Sequence, residues 1–137
     1  MAGIASFATA AKLIYADRSD DYIRLTMLRS KLIETLKRKE IDFIDEGSSE
    51  NKLPNILGLR FTGMEGQFLM LECSQAGLAI STGSACQVGS EKPNRTMKAM
   101  GRTDEEAREF VRLSLGSENN EEQIDVIIQK IEVILNR

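Results

Sequence analysis

Residues 110–134 read FVRLSLGSENNEEQIDVIIQKIEVI. The first six alternate. Phe110, Arg112 and Ser114 fall on one side, and Val111, Leu113 and Leu115 on the other, which is the period of a strand with one apolar face. Asn119 followed by Glu122 forms a capping-box pattern. It opens a helix striped by Ile124, Ile127, Ile128, Ile131 and Ile134, the 3.6-residue period of an amphipathic helix. One short strand and one helix with a single buried stripe call for further layers to cover them.

Working outward, the chain supplies those layers. Thr103 with Glu106 is a second capping box, and Pro93 at a first helical turn with Gly101 at a C-cap brackets a short helix. Glu65–Gln75 carries Phe68, Leu69 and Leu71 and reads as a helix stopped by Gly77. Leu78–Ile80 is a short apolar run. Ile56–Phe61, entered through Pro54, and Ile41–Ile44 read as strands, separated by the polar loop 46–52. Ser19 and Asp20 give an N-cap signal for a helix with Leu25, Leu28, Leu32 and Leu36, ending in Lys37, Arg38 and Lys39. Before it, Ile4, Phe7, Ala8, Ala11, Ile14 and Tyr15 form an apolar helical stripe that begins without a capping residue. The expected fold is α+β: a small antiparallel sheet of three to four short strands covered by helices, in a single domain over residues 1–137.

Composition narrows the chemistry. The 137 residues are 42% hydrophobic and 28% charged, as in a globular domain, with a net charge of −3. That balance gives no electrostatic reason to expect nucleic acid or an anionic membrane as partner. The N-terminal stretch lacks a basic n-region and Lys12 interrupts it, so neither a secretory signal nor a membrane span is expected. The absence of histidine excludes His-based acid–base work, Ser-His-Asp and Cys-His nucleophiles and His-ligated metal from within the chain. The two cysteines, Cys73 and Cys86, are too few for a zinc site or a disulfide framework and point to a reducing cytoplasm.

Two features can carry chemistry. In Thr82-Gly83-Ser84-Ala85-Cys86 a thiol follows a run of tiny residues, and the loop 87–92 holds Gly89 and Ser90. An exposed loop thiol suits nucleophilic attack on a substrate held elsewhere, against the plainer reading of a small buried residue at a tight turn. Cys73, inside an apolar helix pattern, takes the plainer reading. The second feature is Arg112 in FVRLSL. A strand is a rigid mount for a guanidinium that grips a carboxylate through paired hydrogen bonds, against the plainer reading of a solvated strand face. The eight lysines gain no catalytic reading from their local sequence.

ISTGSACQVGSEKPNRTMKAMG (80–101) followed by EFVRLSLGSENNEEQID (109–125) resembles the C-terminal region of NifS-like cysteine desulfurases, pyridoxal-phosphate (PLP) enzymes of the class V aminotransferase superfamily. The matching residues are Ser81, Gly83, Ser84, Ala85, Cys86, Pro93, Ala99, Met100, Gly101, Arg112, Ser114, Leu115, Gly116, Glu121, Glu122 and Ile124. Upstream, Ala2-Gly3-Ile4 fits the family's GTxNVAGI segment with its front missing, and Leu53-Pro54-Asn55 fits the LPN before a central strand. The order is kept over nearly the whole chain. Gly58, Asn94 and Thr82 stand where the family often has asparagine, serine and serine.

The resemblance implies roles. Cys86 is the loop nucleophile that takes sulfur from L-cysteine as a persulfide and passes it to a protein sulfur acceptor, as in Fe–S cluster or thio-cofactor assembly. Arg112 holds the substrate carboxylate. The family's PLP lysine lies in an SxHK context in a large domain for which this chain has no counterpart. The chain therefore reads as the C-terminal small domain, with the uncapped first helix continuing one that crosses from the large domain. PLP is expected in the full-length enzyme and none on this chain, which alone is expected to be inactive. The family homodimerises largely through the large domain, and a cytoplasmic location is expected. Two other readings stay open: a stand-alone persulfide-carrying module, and a relative that prefers selenocysteine.

Overall fold

The computed structural model describes residues 2–47, 51–83 and 93–136. Helix α1 spans Ala2–Arg38, β1 Phe43–Asp45, β2 Ile56–Phe61 and α2 Gly66–Gln75; α3 (Arg95–Ala99), α4 (Asp104–Arg108), β3 (Phe110–Ser114) and α5 (Glu121–Leu135) follow. The strands form one antiparallel sheet in the order β1-β2-β3. The expected α+β fold is what the structure shows.

One face of the sheet is the core. Leu57, Leu59 and Phe61 of β2 and Val111 and Leu113 of β3, followed by Leu115, point into it, as strand alternation requires. Leu28, Leu32 and Leu36 of α1, Leu69 and Cys73 of α2, and Ile124, Ile128, Ile131 and Ile134 of α5 close over them, all buried. The isoleucine stripe read in the sequence is the buried face of α5. The other face carries Ile56, Gly58, Arg60, Phe110, Arg112 and Ser114.

Four local expectations need correction. α1 is continuous through Ser19 and Asp20. The sequence from Ile4 to Arg38 contains neither proline nor glycine, so nothing breaks the i→i−4 ladder. Asp21 serves inside the helix, 3.1 Å from Arg24 one turn on. β1 begins at Phe43, not Ile41, because residues 39–41 are spent ending α1. Ile41 N–H donates to Leu36 O and Glu40 N–H to Lys37 O, and Glu40 takes φ 56°, the left-handed helix stop.

The cap of α5 is Asn120 with Gln123, one residue beyond Asn119 with Glu122. Asn119 is occupied in the turn after β3: its Oδ1 accepts from Gly116 N–H at 2.7 Å. Pro93 lies just before α3, whose cap is Asn94. Gly101 follows α3 at φ 82°, and Thr103 with Glu106 caps α4 reciprocally as expected. α2 ends at Gly77 with φ 75°, where Leu78 N–H donates to Cys73 O.

The N-terminal half of α1 packs on little. Ile4, Phe7, Leu13, Ile14, Tyr15, Tyr22 and Ile23 are all exposed. No helix among the described residues is long and apolar enough to cross a membrane.

Candidate functional site

Arg112 sits at the middle of β3, and backbone holds it from both sides. Gly58 of β2 is its register partner. On the other side it forms an isolated bridge with Ser81: Arg112 N–H donates to Ser81 O at 2.5 Å and Ser81 N–H to Arg112 O at 3.1 Å. The sheet thus has three strands, within the expected three to four, with Ser81 adding a single bridge at its β3 edge among the described residues. Val111 and Leu113 are buried on the core face, so Arg112 lies on the opposite face. Its Nε is buried with no hydrogen-bond partner among the described residues. A buried donor of a charged group is costly to leave unpaired, and such a group points to a ligand or ion that would pair it.

Phe110, two residues earlier on the same face, lays its ring over Gly58. A Cβ at position 58 would lie 2.9 Å from Phe110 Cε2. Beyond Phe110 stands a buried charge cluster. Arg60 donates from Nε to Glu46 at 2.5 Å, from Nη1 to Glu109 at 2.8 Å and from Nη2 to Glu106 at 3.1 Å. Arg102 donates to the other Glu46 oxygen at 2.8 Å. Burial works to raise the Glu46 carboxyl, but the hydrogen bonds from Arg102 and Arg60 outweigh it and hold it below its ordinary 4.5.

The segment leading to Cys86 is built from small polar contacts. Ser81 Oγ donates to Gly83 O at 2.9 Å and accepts from Gly83 N–H at 3.2 Å. Asn94 donates from Nδ2 to Thr82 O at 2.7 Å while its Oδ1 accepts from Thr96 and Met97 N–H at the start of α3. Asn94 thus ties Thr82 to the start of α3. Cys86 itself lies outside the described residues. Cys73 is fully buried in α2, where burial pushes its thiol up to about 11. A thiol of that kind is inert at neutral pH.

The lysines among the described residues stand on the surface or in polar contacts. Lys12 and Lys37 are exposed on α1. Lys31, Lys39, Lys52 and Lys98 are in ion pairs with carboxylates, and Lys130 donates to Ala76 O at the end of α2.

The sequence matches the aminotransferase class-V family over residues 1–127. The chain belongs to this family. It is 34% identical over 134 residues to a putative cysteine desulfurase NifS of Bacillus subtilis, covering 96% of this chain and 34% of that protein. To cysteine desulfurase IscS of Proteus mirabilis it is 37% identical, covering 98% of this chain and 32% of that one. The chain spans about a third of the length of the curated relatives it matches. A solved NifS-like protein superposes with a TM-score of 0.80 at 28% identity, over 94% of this chain and 32% of that one. The NifS-like protein of Rickettsia africae shares the fold, with a TM-score of 0.83 at 24% identity, over 98% of this chain and 34% of that one.

Sequence reading placed Arg112 on the correct face and missed what surrounds it. The bridge to Ser81 and the tie from Asn94 to Thr82 carry no periodic signal. Arg60 did leave one: a charged residue at an outward position of ILGLRF, matched by three glutamates, one after β1 and two near α4.

Proposed function

We propose that this chain is the C-terminal small domain of a cysteine desulfurase. The whole enzyme removes sulfur from L-cysteine and releases L-alanine. Cys86 takes the sulfur as a persulfide for transfer to a protein acceptor of the Fe–S cluster or thio-cofactor assembly kind, and Arg112 binds the substrate carboxylate. Pyridoxal phosphate would be bound by a large domain outside this chain, through which the enzyme would dimerise, in the cytoplasm.

The observation that carries the reading is the Arg112 guanidinium. Its residue is bridged through the backbone to Ser81 and lies beside Gly58, and its Nε is buried without a partner among the described residues. A carboxylate bound there would satisfy it through a charge-assisted hydrogen bond, typically ~1.5–3 kcal/mol. Cysteine desulfurases among the relatives and the order of motifs around Cys86 support the nucleophile. The exposed apolar residues of α1 support a covering domain.

The test joins this chain to a large domain from a NifS relative and follows cysteine-dependent alanine release. The hybrid should be active and the isolated chain inactive. In the hybrid, Cys86→Ser should abolish persulfide formation with the cofactor spectrum retained. Arg112→Ala should raise KM for cysteine at least tenfold. Alanine release by the isolated chain, or an unchanged KM in Arg112→Ala, refutes the proposal.

A further inference from the structure

Gly58 sits between two opposite charges. On one side Glu46 follows β1, its N–H donating to Gly58 O at 2.8 Å, and its Cβ would lie 3.8 Å from a Cβ at position 58. On the other side stands Arg112 of β3. Strands pair at ~4.8 Å, so the backbones of Glu46 and Arg112 are about 10 Å apart. A glutamate and an arginine reaching toward each other can close that gap. They do not meet: among the described residues the Arg112 Nε is unpaired and Glu46 is held by Arg60 and Arg102. The other two glutamates of the cluster, Glu106 and Glu109, are also engaged by Arg60. The Phe110 ring lies over Gly58, the residue whose backbone stands between Glu46 and Arg112.

We propose that Arg60 and Phe110 are positioning residues for Arg112. Arg60 retains the carboxylates of this sheet face, and the Phe110 ring over Gly58 partitions them from Arg112. The Arg112 guanidinium, whose Nε is unpaired among the described residues, is thereby kept for a carboxylate from outside the chain, here that of a small α-amino acid. This rests on the carboxylate-binding role proposed for Arg112 and adds the device that stops the protein's own glutamates from filling that role. Glycine at 58 is part of the device, because any side chain there displaces the ring.

The test uses the 137-residue chain labelled with nitrogen-15. The Arg112 Nε–H signal is assigned by its loss in Arg112→Lys. L-alanine is the probe, and L-alaninamide, which has no carboxylate, is the control. In the unsubstituted chain the signal should shift saturably with L-alanine and not with the amide. Arg60→Met should weaken L-alanine binding on the order of tenfold, because it removes one positive charge and releases carboxylates near Arg112. Adding Glu46→Gln and Glu109→Gln to Arg60→Met should recover most of that loss, which a purely structural role for Arg60 would not allow. Gly58→Ala displaces the ring with the ion cluster intact and should also weaken binding severalfold; it decides the matter alone if Arg60→Met does not fold. Unchanged binding in both Arg60→Met and Gly58→Ala overturns the partition while leaving the role of Arg112 standing. Failure of the triple variant to recover also overturns it. No saturable shift in the unsubstituted chain overturns the carboxylate role and the partition together.

Discussion

Replacing Arg112 by methionine should make this chain more stable. The guanidinium Nε is buried and unpaired among the described residues, which by itself costs about 1–3 kcal/mol. Methionine keeps most of the aliphatic stem, so little apolar contact is lost at ~0.8 kcal/mol per methylene. The backbone bonds to Ser81 and the pairing with Gly58 do not involve the side chain and persist. The balance is a gain of about 1–2 kcal/mol, which for a domain of this size is roughly 3–8 °C in Tm. Arg112→Ala forfeits the stem as well, and the two contributions cancel to within about 1 kcal/mol. Urea unfolding followed by circular dichroism measures both, with an unchanged m-value as the check that only the native state moved. A loss of more than about 2 kcal/mol in Arg112→Met would show that the guanidinium is a structural ion pair, and would remove the ground for assigning it to a ligand.

Gly66→Ala should destabilise the fold by 2 kcal/mol or more by overpacking, since its Cβ would lie 2.5 Å from the Phe110 carbonyl oxygen; the midpoint of urea unfolding reads this. Under native conditions a thiol reagent should label Cys86 well before Cys73, whose thiol is buried and pushed up to about 11; equal rates in peptide mapping would contradict the assignment. Glu46 has its folded carboxyl held below 4.5, so the unfolded chain takes up the proton first. Its contribution to stability is present above pH 4.5 and is lost as the pH falls through the lower folded value; Glu46→Gln should flatten that limb of an acid-unfolding profile.

Much of this structure was legible because its signals are local and periodic. The isoleucines of α5, the alternation of β3 and the Thr103–Glu106 box each need only a few neighbouring residues to be recognised. The misreadings share a different cause. At Ser19–Asp20 and at Asn119–Asn120 a cap signal competes with a stronger local or tertiary demand. The unbroken ladder of α1 overrides a cap signal. Asn119 is taken by Gly116, so capping passes to Asn120. The site divides along the same line. Arg112 stood out as a charge in an apolar strand, whereas its isolation from Glu46 depends on a ring from β3 lying over a glycine of β2, a contact with no trace in either segment alone.

Helix α1 is a single hydrogen-bonded rod of 37 residues, roughly 55 Å at 1.5 Å per residue, yet it lives under two thermodynamic regimes. Around Leu28, Leu32 and Leu36 its amides are locked by the core and open only when the whole domain unfolds. From Ala2 to Ser19 little beyond the helix's own ladder restrains them, and helical turns without packing are marginal in water. Amide exchange should therefore run as a gradient along one continuous element, fast at the tip and slowing by orders of magnitude toward Leu32. The turns that carry Ile4, Phe7 and Ile14 open first, and any surface that seats them would gain both their exposed apolar contacts and the order it imposes on them.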